Sequence, residues 1–228
     1  VQQINGRKTL VVVGSEFADG VSVNKNSAGY LVHATFLAKA RTIFASGIQQ
    51  IEMALLSGND SASISGSIAI PAIIDGGSGD DDMNGGGGNN IIIGGAGSDK
   101  LSGGGVRDIL IGGADADRIV GNGGDDILIA GATSYDSGPD DDKLANDGIL
   151  LKLADEWFST RSYSDRVANI QNGTGPILGG TGRSLTFGAT VFSDTAIDQL
   201  TGSSGSDWFF FDVATDKATD LSGSETTN

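Results

Sequence analysis

Aspartates recur every nine residues in one stretch of this chain, and that spacing is the first sign of chemistry. Residues 76–129 divide without a slip into six blocks: GGSGDDDMN, GGGGNNIII, GGAGSDKLS, GGGVRDILI, GGADADRIV and GNGGDDILI. The sixth place holds Asp81, Asn90, Asp99, Asp108, Asp117 and Asp126, five carboxylates and one amide. The first place is always glycine, and the eighth is always apolar: Met83, Ile92, Leu101, Leu110, Ile119 and Leu128. Short carboxylates set in glycine-rich turns suit a hard cation, because the side chains and the turn carbonyls offer only oxygen.

The elements that position these carboxylates follow from the same period. Each block is a six-residue turn followed by a strand of about three residues, and glycine suits a turn that needs positive φ or a close backbone approach. Neighbouring strand residues face opposite ways, so one inward side chain at the eighth place is expected. Two blocks make a flattened rung of eighteen residues, and stacked rungs align the apolar residues into one core. One edge then carries Asp81, Asp99 and Asp117, the other Asn90, Asp108 and Asp126. Strands lie roughly 4.8 Å apart, and at an effective dielectric near 20 two carboxylates at that distance repel by about 3–4 kcal/mol. A divalent cation reverses the sign. Ca²⁺ takes oxygens in flexible geometry, whereas Mg²⁺ demands a near-ideal octahedron and keeps its waters.

At these residues the chain resembles the RTX, or hemolysin-type, calcium-binding nonapeptide repeat, G-G-x-G-x-D-x-U-x with U apolar. Residues 76–84 and 94–102 fit it in full. The departures are Asn90 for Asp, Val106 and Asp115 for the fourth glycine, and Asn122 for the second. The resemblance implies an all-β fold, a parallel β-roll, with several Ca²⁺ ions held between successive turns. The implied ligands are the sixth-place side chains of Asp81, Asn90, Asp99, Asp108, Asp117 and Asp126, together with turn residues Gly77, Gly79, Gly86, Gly88, Gly95, Gly97, Gly104, Gly113 and Gly124. A flexible glycine-rich linker would not hold apolar residues at a fixed place. A phosphate-cradling loop would need a following GK[ST], which is missing.

Composition agrees. The chain has 228 residues and a net charge of −15, which disfavours nucleic acid and anionic membranes. Of its 29 acidic residues only 4 are Glu, and Asp is the residue of turns and tight cation cages. With no Cys, bound Ca²⁺ is available as a staple. No apolar run has the length of a membrane span. No signal peptide is visible, and a start at Val1 suggests a processed form or an excised domain.

In chain order, residues 1–75 read as an irregular continuation of the β architecture, with strands near 9–13, 21–23, 30–36, 48–56 and 67–74. A separate small β-sandwich is the alternative. Residues 39–45 lean to strand. Ala18-Asp19-Gly20-Val21 echoes Asn59-Asp60-Ser61-Ala62, and Gly58 precedes Gly76 by eighteen residues, so Asp60 is placed to reach the first regular turn. Residues 76–130 form the calcium-binding roll. Residues 131–192 hold a helical hairpin over about 141–172 and further strands near 177–178, 184–187 and 189–192. In the hairpin Leu144, Leu151, Ala154 and Phe158 recur at helical spacing, and Asp140–142 would favour a helix N-terminus. A second helix over 163–171 has Ser162 or Ser164 as N-cap and Gly173 beyond its end. The pair is expected to cover an apolar edge, or to be a docking face. In residues 193–228 the frame returns: Gly202-Ser203-Ser204-Gly205-Ser206-Asp207 is a degenerate turn, which makes Asp207 a further metal candidate. Alternation buries Phe209 and Phe211 and leaves Trp208 and Phe210 to the hairpin or to another subunit.

For catalysis the residues offer little. The one His is His33, and neither HExxH nor GxSxG is present. A β-helix carbohydrate-active enzyme is the enzymatic rival. The expectation is a non-enzymatic, extracellular calcium-binding structural protein of the cell surface that folds on binding Ca²⁺ and self-associates into an oligomer or fibre. It would have no nucleic-acid partner and no membrane insertion. The alternative is the export-and-folding tail of a larger secreted enzyme or adhesin.

Overall fold

Alternate blocks of the repeat go to opposite sheets. In the computed structural model, which describes residues 1–37, 41–43, 46–136, 148–179 and 183–227, two nine-stranded sheets run through the chain. The first contains in order Gln2–Ile4, Arg7–Ser15, Gln50–Leu56, Ala72–Ser78, Asn90–Ala96, Ile109–Ala114, Ile127–Ile129, Trp208–Phe210 and Thr226–Thr227. The second starts from Lys217–Ala218 and passes through Gln199–Ser204, Arg118–Gly123, Lys100–Gly104, Asp82–Asn84 and Ser61–Ile64 to Gly20–Asn26, Gly29–Ala34 and Arg41–Ile43.

The repeat strands pair in parallel at the expected step of eighteen, as in Ile92↔Leu110 and Leu101↔Ile119. All six eighth-place residues, from Met83 to Leu128, are buried in one core that draws on both sheets. Residues 1–75 do not build a sheet of their own. Arg7–Ser15 pairs with Gln50–Leu56, and Gly20–Asn26 pairs with Ser61–Ile64, all in parallel and within the same two sheets. The echo between residues 18–21 and 59–62 is a register pair, Gly20↔Ser61 and Val21↔Ala62. One spacing is corrected: residues 51–63 step to the next rung by 21, not 18, as in Ile51↔Ala72 and Ser61↔Asp82, and the step of 18 begins with Ala72↔Asn90. The extra residues lie in the wider return over 65–71. Of residues 39–45, those in 41–43 form a strand and the others lie outside the described residues.

The two faces of the first sheet explain the rest of the chain. On that sheet the seventh and ninth places are also apolar: Ile91, Ile93, Ile109, Ile111, Ile127, Ile129, then Trp208 and Phe210. On the second sheet the matching places hold Asp82, Asn84, Lys100, Ser102, Arg118 and Gln199, with Val120 the one apolar residue among those of the repeat, and they are exposed or half-buried. The chain therefore leaves the sheets after Ile129 and returns at an offset of 81, Ile127↔Trp208, with two helices among the described residues of the excursion. The first helix, Gly148–Trp157, buries Leu150, Leu153, Ala154 and Trp157, and the second, Tyr163–Asn172, buries Ile170, all in a core shared with those isoleucines. The helical pair thus covers an apolar face, not an edge. Its caps are as read: the Ser162 side chain accepts from the Asp165 amide, and Gly173 closes the end at φ 62°. Asp140–142 and Leu144, expected in the first helix, lie outside the described residues. Trp208 packs 6.2 Å from Trp157 and 4.7 Å from Phe210, while Phe209 and Phe211 enter the inner core. The hairpin, not another subunit, receives the outward aromatics.

The strands expected over 177–192 are corrected. Among the described residues of that range only Val191–Phe192 is a strand, antiparallel to Ala132–Thr133. The residues before it bend: Gly188 takes φ 76°, and the Ala189 amide donates to the Thr186 carbonyl at 3.1 Å, so the alternating run closes on itself as a turn. Among the described residues no helix is long and apolar enough to cross a membrane.

Candidate metal centre

Backbone amides string the sixth-place residues into two ladders. On one edge the amide of Asp81 donates to Oδ1 of Asp99, and that of Asp99 to Oδ1 of Asp117, both at 2.8 Å. Asp117 reaches Asp198 at 2.7 Å, and Asp198 reaches Asp216 at 3.2 Å. Upstream, Asp19 donates to Asp60 at 2.6 Å and Asp60 to Asp81 at 2.8 Å. On the other edge Asn90 donates to Asp108 at 2.7 Å, Asp108 to Asp126 and Asp126 to Asp207 at 2.8 Å. The two columns expected from the eighteen-residue step are present, and both are longer than residues 76–129. Asp19, Asp198 and Asp216 join the first. The signal for the last two was in the sequence: Asp198 and Asp216 stand eighteen apart with Asp207 midway.

One carboxylate oxygen is used by each ladder bond, and at six positions the other is left over. Oδ2 of Asp60, Asp81, Asp99, Asp117, Asp126 and Asp207 is buried and has no hydrogen-bond partner among the described residues. An ionised oxygen in that state is costly unless a positive partner meets it. Room for it comes from the first-place glycine. A Cβ on Gly76, Gly94, Gly112, Gly121 or Gly202 would collide with Oδ2 of the Asp five residues on, respectively Asp81, Asp99, Asp117, Asp126 and Asp207. That is why the first column of the repeat never varies, a reason the spacing alone did not reveal.

The turn backbone is the second component. Gly77, Gly79, Gly95, Gly97, Gly113 and Gly124 all take left-handed φ, between 96° and 126°. Where the repeat departs from glycine, Asp115, Asn122 and Ser203 adopt φ of 72°, 76° and 77° and preserve the turn; Asp and Asn are the side chains that tolerate it best. Carbonyls point across the gap to the next rung: a side chain at Gly95 would strike the Gly77 oxygen, one at Gly97 the Gly79 oxygen, and one at Gly113 the Gly95 oxygen. Oxygen-only donors, partnerless buried carboxylate atoms and converging carbonyls fit a hard divalent cation. Among the described residues no three acidic or imidazole side chains converge on one point. The carboxylates are strung out in columns, so a cation here must draw much of its shell from the backbone.

Two turns differ. Gly86, Gly88 and Gly104, like Val106, do not adopt left-handed φ. The Asn90 amide nitrogen donates to the Gly88 carbonyl at 2.8 Å and to Asp108 Oδ1 at 2.9 Å, with a longer bond to the Gly86 carbonyl at 3.4 Å. Asp108 Oδ2 in turn accepts the Gly104 amide. Here an NH₂ group occupies the relation to carbonyls and carboxylate that a cation would have, and Asp108 keeps no orphan oxygen.

Electrostatics follow from burial. Desolvation pushes the carboxyl pKa up to about 7 for Asp81, Asp99 and Asp108, about 8 for Asp117 and about 9 for Asp126. Asp198 and Asp207 rise to about 6. Ladder amides pull the values down, and neighbouring carboxylates push most of them further up. Without a cation Asp117 and Asp126 keep their protons at neutrality, and Asp81, Asp99 and Asp108 titrate there. Asp125, beside Asp126, goes the other way: burial opposes its charge, but the Ser206 amide, Arg166 and Arg107 outweigh that and lower its pKa. Arg166 is fully buried, bonds Asp125 and stacks 4.5 Å from the Trp157 ring, so the helical pair is bolted to one turn of the ladder. His33 lies exposed on Gly29–Ala34.

A family model, the RTX calcium-binding nonapeptide repeat in 4 copies, matches residues 75–110 and 102–133. No curated protein and no solved structure matches the chain. The match falls on the six blocks that carry the frame, the inward apolar column and the central bonds of both ladders. Residues 75–133 are RTX calcium-binding nonapeptide repeats.

Proposed function

We propose that this chain is an extracellular structural protein that completes its fold, as a β-roll, when Ca²⁺ enters the stacked turns. The observation that carries the reading is the row of buried, partnerless Oδ2 atoms on Asp60, Asp81, Asp99, Asp117, Asp126 and Asp207. When bound, the cation supplies positive charge that those oxygens lack. The chain's own part is to aim them: ladder amides fix Oδ1, the first-place glycines leave space for Oδ2, and left-handed turns turn carbonyls toward the gap. Extracellular calcium modules bind at about 10⁻⁴–10⁻³ M, which suits a chain unfolded in a low-calcium interior and folded outside. We assign it no catalytic role, because the acidic residues are absorbed by the ladders. The protein also self-associates in this reading. Its two sheets end on short strands, Lys217–Ala218 and Thr226–Thr227, paired on one side only, and such edges template further strands. A calcium titration followed by far-UV circular dichroism and light scattering tests both parts. The expected result is a cooperative gain of β signal in the millimolar range, accompanied by growth in size. A β signal unchanged by chelator would refute the folding claim, and a monomer at every calcium concentration would refute the assembly claim.

A further inference from the structure

The family match begins at residue 75, yet the geometry of a cation station begins one rung earlier. Residues 55–60 read LLSGND and share with the repeat only a glycine at the fourth place and an aspartate at the sixth. In the structure they form the same turn. Leu56 at the second place takes φ 78° and Gly58 at the fourth takes φ 119°, the same pair of left-handed positions as Gly77 and Gly79. A leucine in that region is strained, because its side chain crowds the following carbonyl, and such strain persists only where the surroundings demand the conformation. The carbonyls face the gap as they do later in the chain: side chains at Gly77 and Gly79 would strike the oxygens of Leu56 and Gly58. Asp60 is 3% exposed. Its Oδ1 accepts the Asp19 amide at 2.6 Å, and its own amide donates to Asp81 Oδ1 at 2.8 Å. Its Oδ2 is buried and without a partner among the described residues.

From these observations we infer that residues 56–60, stacked on residues 77–81, form a further divalent-cation site, outside the recognisable repeats. The site takes Ca²⁺ through Asp60 Oδ2 and turn carbonyls, and it rests on the calcium-dependent reading given above. It places the first cation against the irregular rungs of residues 1–75, so that calcium ties this part of the chain to the repeats.

The test is Asp60→Asn, whose chemistry the protein already displays at Asn90. The amide oxygen can still accept from Asp19, and the amide nitrogen can replace the cation. Calcium bound per chain, counted by native mass spectrometry and by calorimetric titration of wild type and variant, should fall by one while the β signal in calcium is retained. An undiminished count in a folded Asp60→Asn chain overturns this site and leaves the repeat sites standing. A wild-type chain that binds no calcium overturns both. If the variant does not fold, crystals of the wild-type chain grown with calcium decide the matter: anomalous density beside Asp60 supports the site, and density confined to residues 76–129 overturns it.

Discussion

Asn90 shows how little separates a cation turn from a hydrogen-bonded one. Its sequence neighbours, four glycines, look more like the consensus than those of Asp117, yet the Asp117 turn keeps the left-handed backbone and the Asn90 turn does not. Replacing Asn90 by Asp removes both amide donors and sets a carboxylate against Asp108 and the Gly88 carbonyl. In chelator this should cost about 1–3 kcal/mol, the penalty of buried acceptors left without donors. In calcium the loss should shrink or vanish, since a cation can take the position of the amide. Urea melts of the variant and the wild type with and without calcium check this; equal losses in the two conditions would count against it. At this scale the sequence was legible where period met chemistry. Sixth-place acids and eighth-place apolar residues stood out because each has one job. The first-place glycine stood out as well, but its reason did not, because that reason is an oxygen five residues away.

The helical pair is the element that makes the outer apolar face tolerable. Trp157 joins Leu153, Trp208 and Arg166 at the centre of that second core, and its ring nitrogen donates to the Asp125 carbonyl at 3.0 Å. Trp157→Ala should destabilise the protein by about 3–5 kcal/mol, the cost of deleting a fully buried aromatic. It should also increase binding of a hydrophobic dye, as Ile109, Ile127 and Phe210 lose their cover. Calorimetry and dye fluorescence measure the two effects; a variant with wild-type melting temperature would contradict the packing. The second helix could be read from its caps, since Ser162 and Gly173 act locally. Its destination could not. That the pair lies over a face, not an edge, depends on the seventh and ninth places being apolar in alternate blocks only. The strands over 177–192 were misread because alternating residues there fold back at Gly188, and a short apolar run does not declare whether it will pair.

For the whole molecule, the ladders make stability a contest between protons, cations and nothing. The carboxyls of Asp81, Asp99, Asp117 and Asp126 titrate near 7–9 in the fold against a usual 3.8. A folded value above the unfolded one means that folding takes up protons. The metal-free chain therefore holds this contribution in full below about pH 4 and loses it as pH rises through about 7–9. Asp125, lowered by the amide and arginines around it, opposes that trend at acid pH. The most direct measurement is the folded fraction by circular dichroism across this range, once in excess chelator and once in millimolar calcium. In chelator the β signal is expected to weaken steadily between pH 5 and pH 9, while in calcium it stays intact at pH 8. A chain equally folded at pH 8 in chelator and in calcium would show that the buried oxygens need no positive partner, and would contradict that expectation.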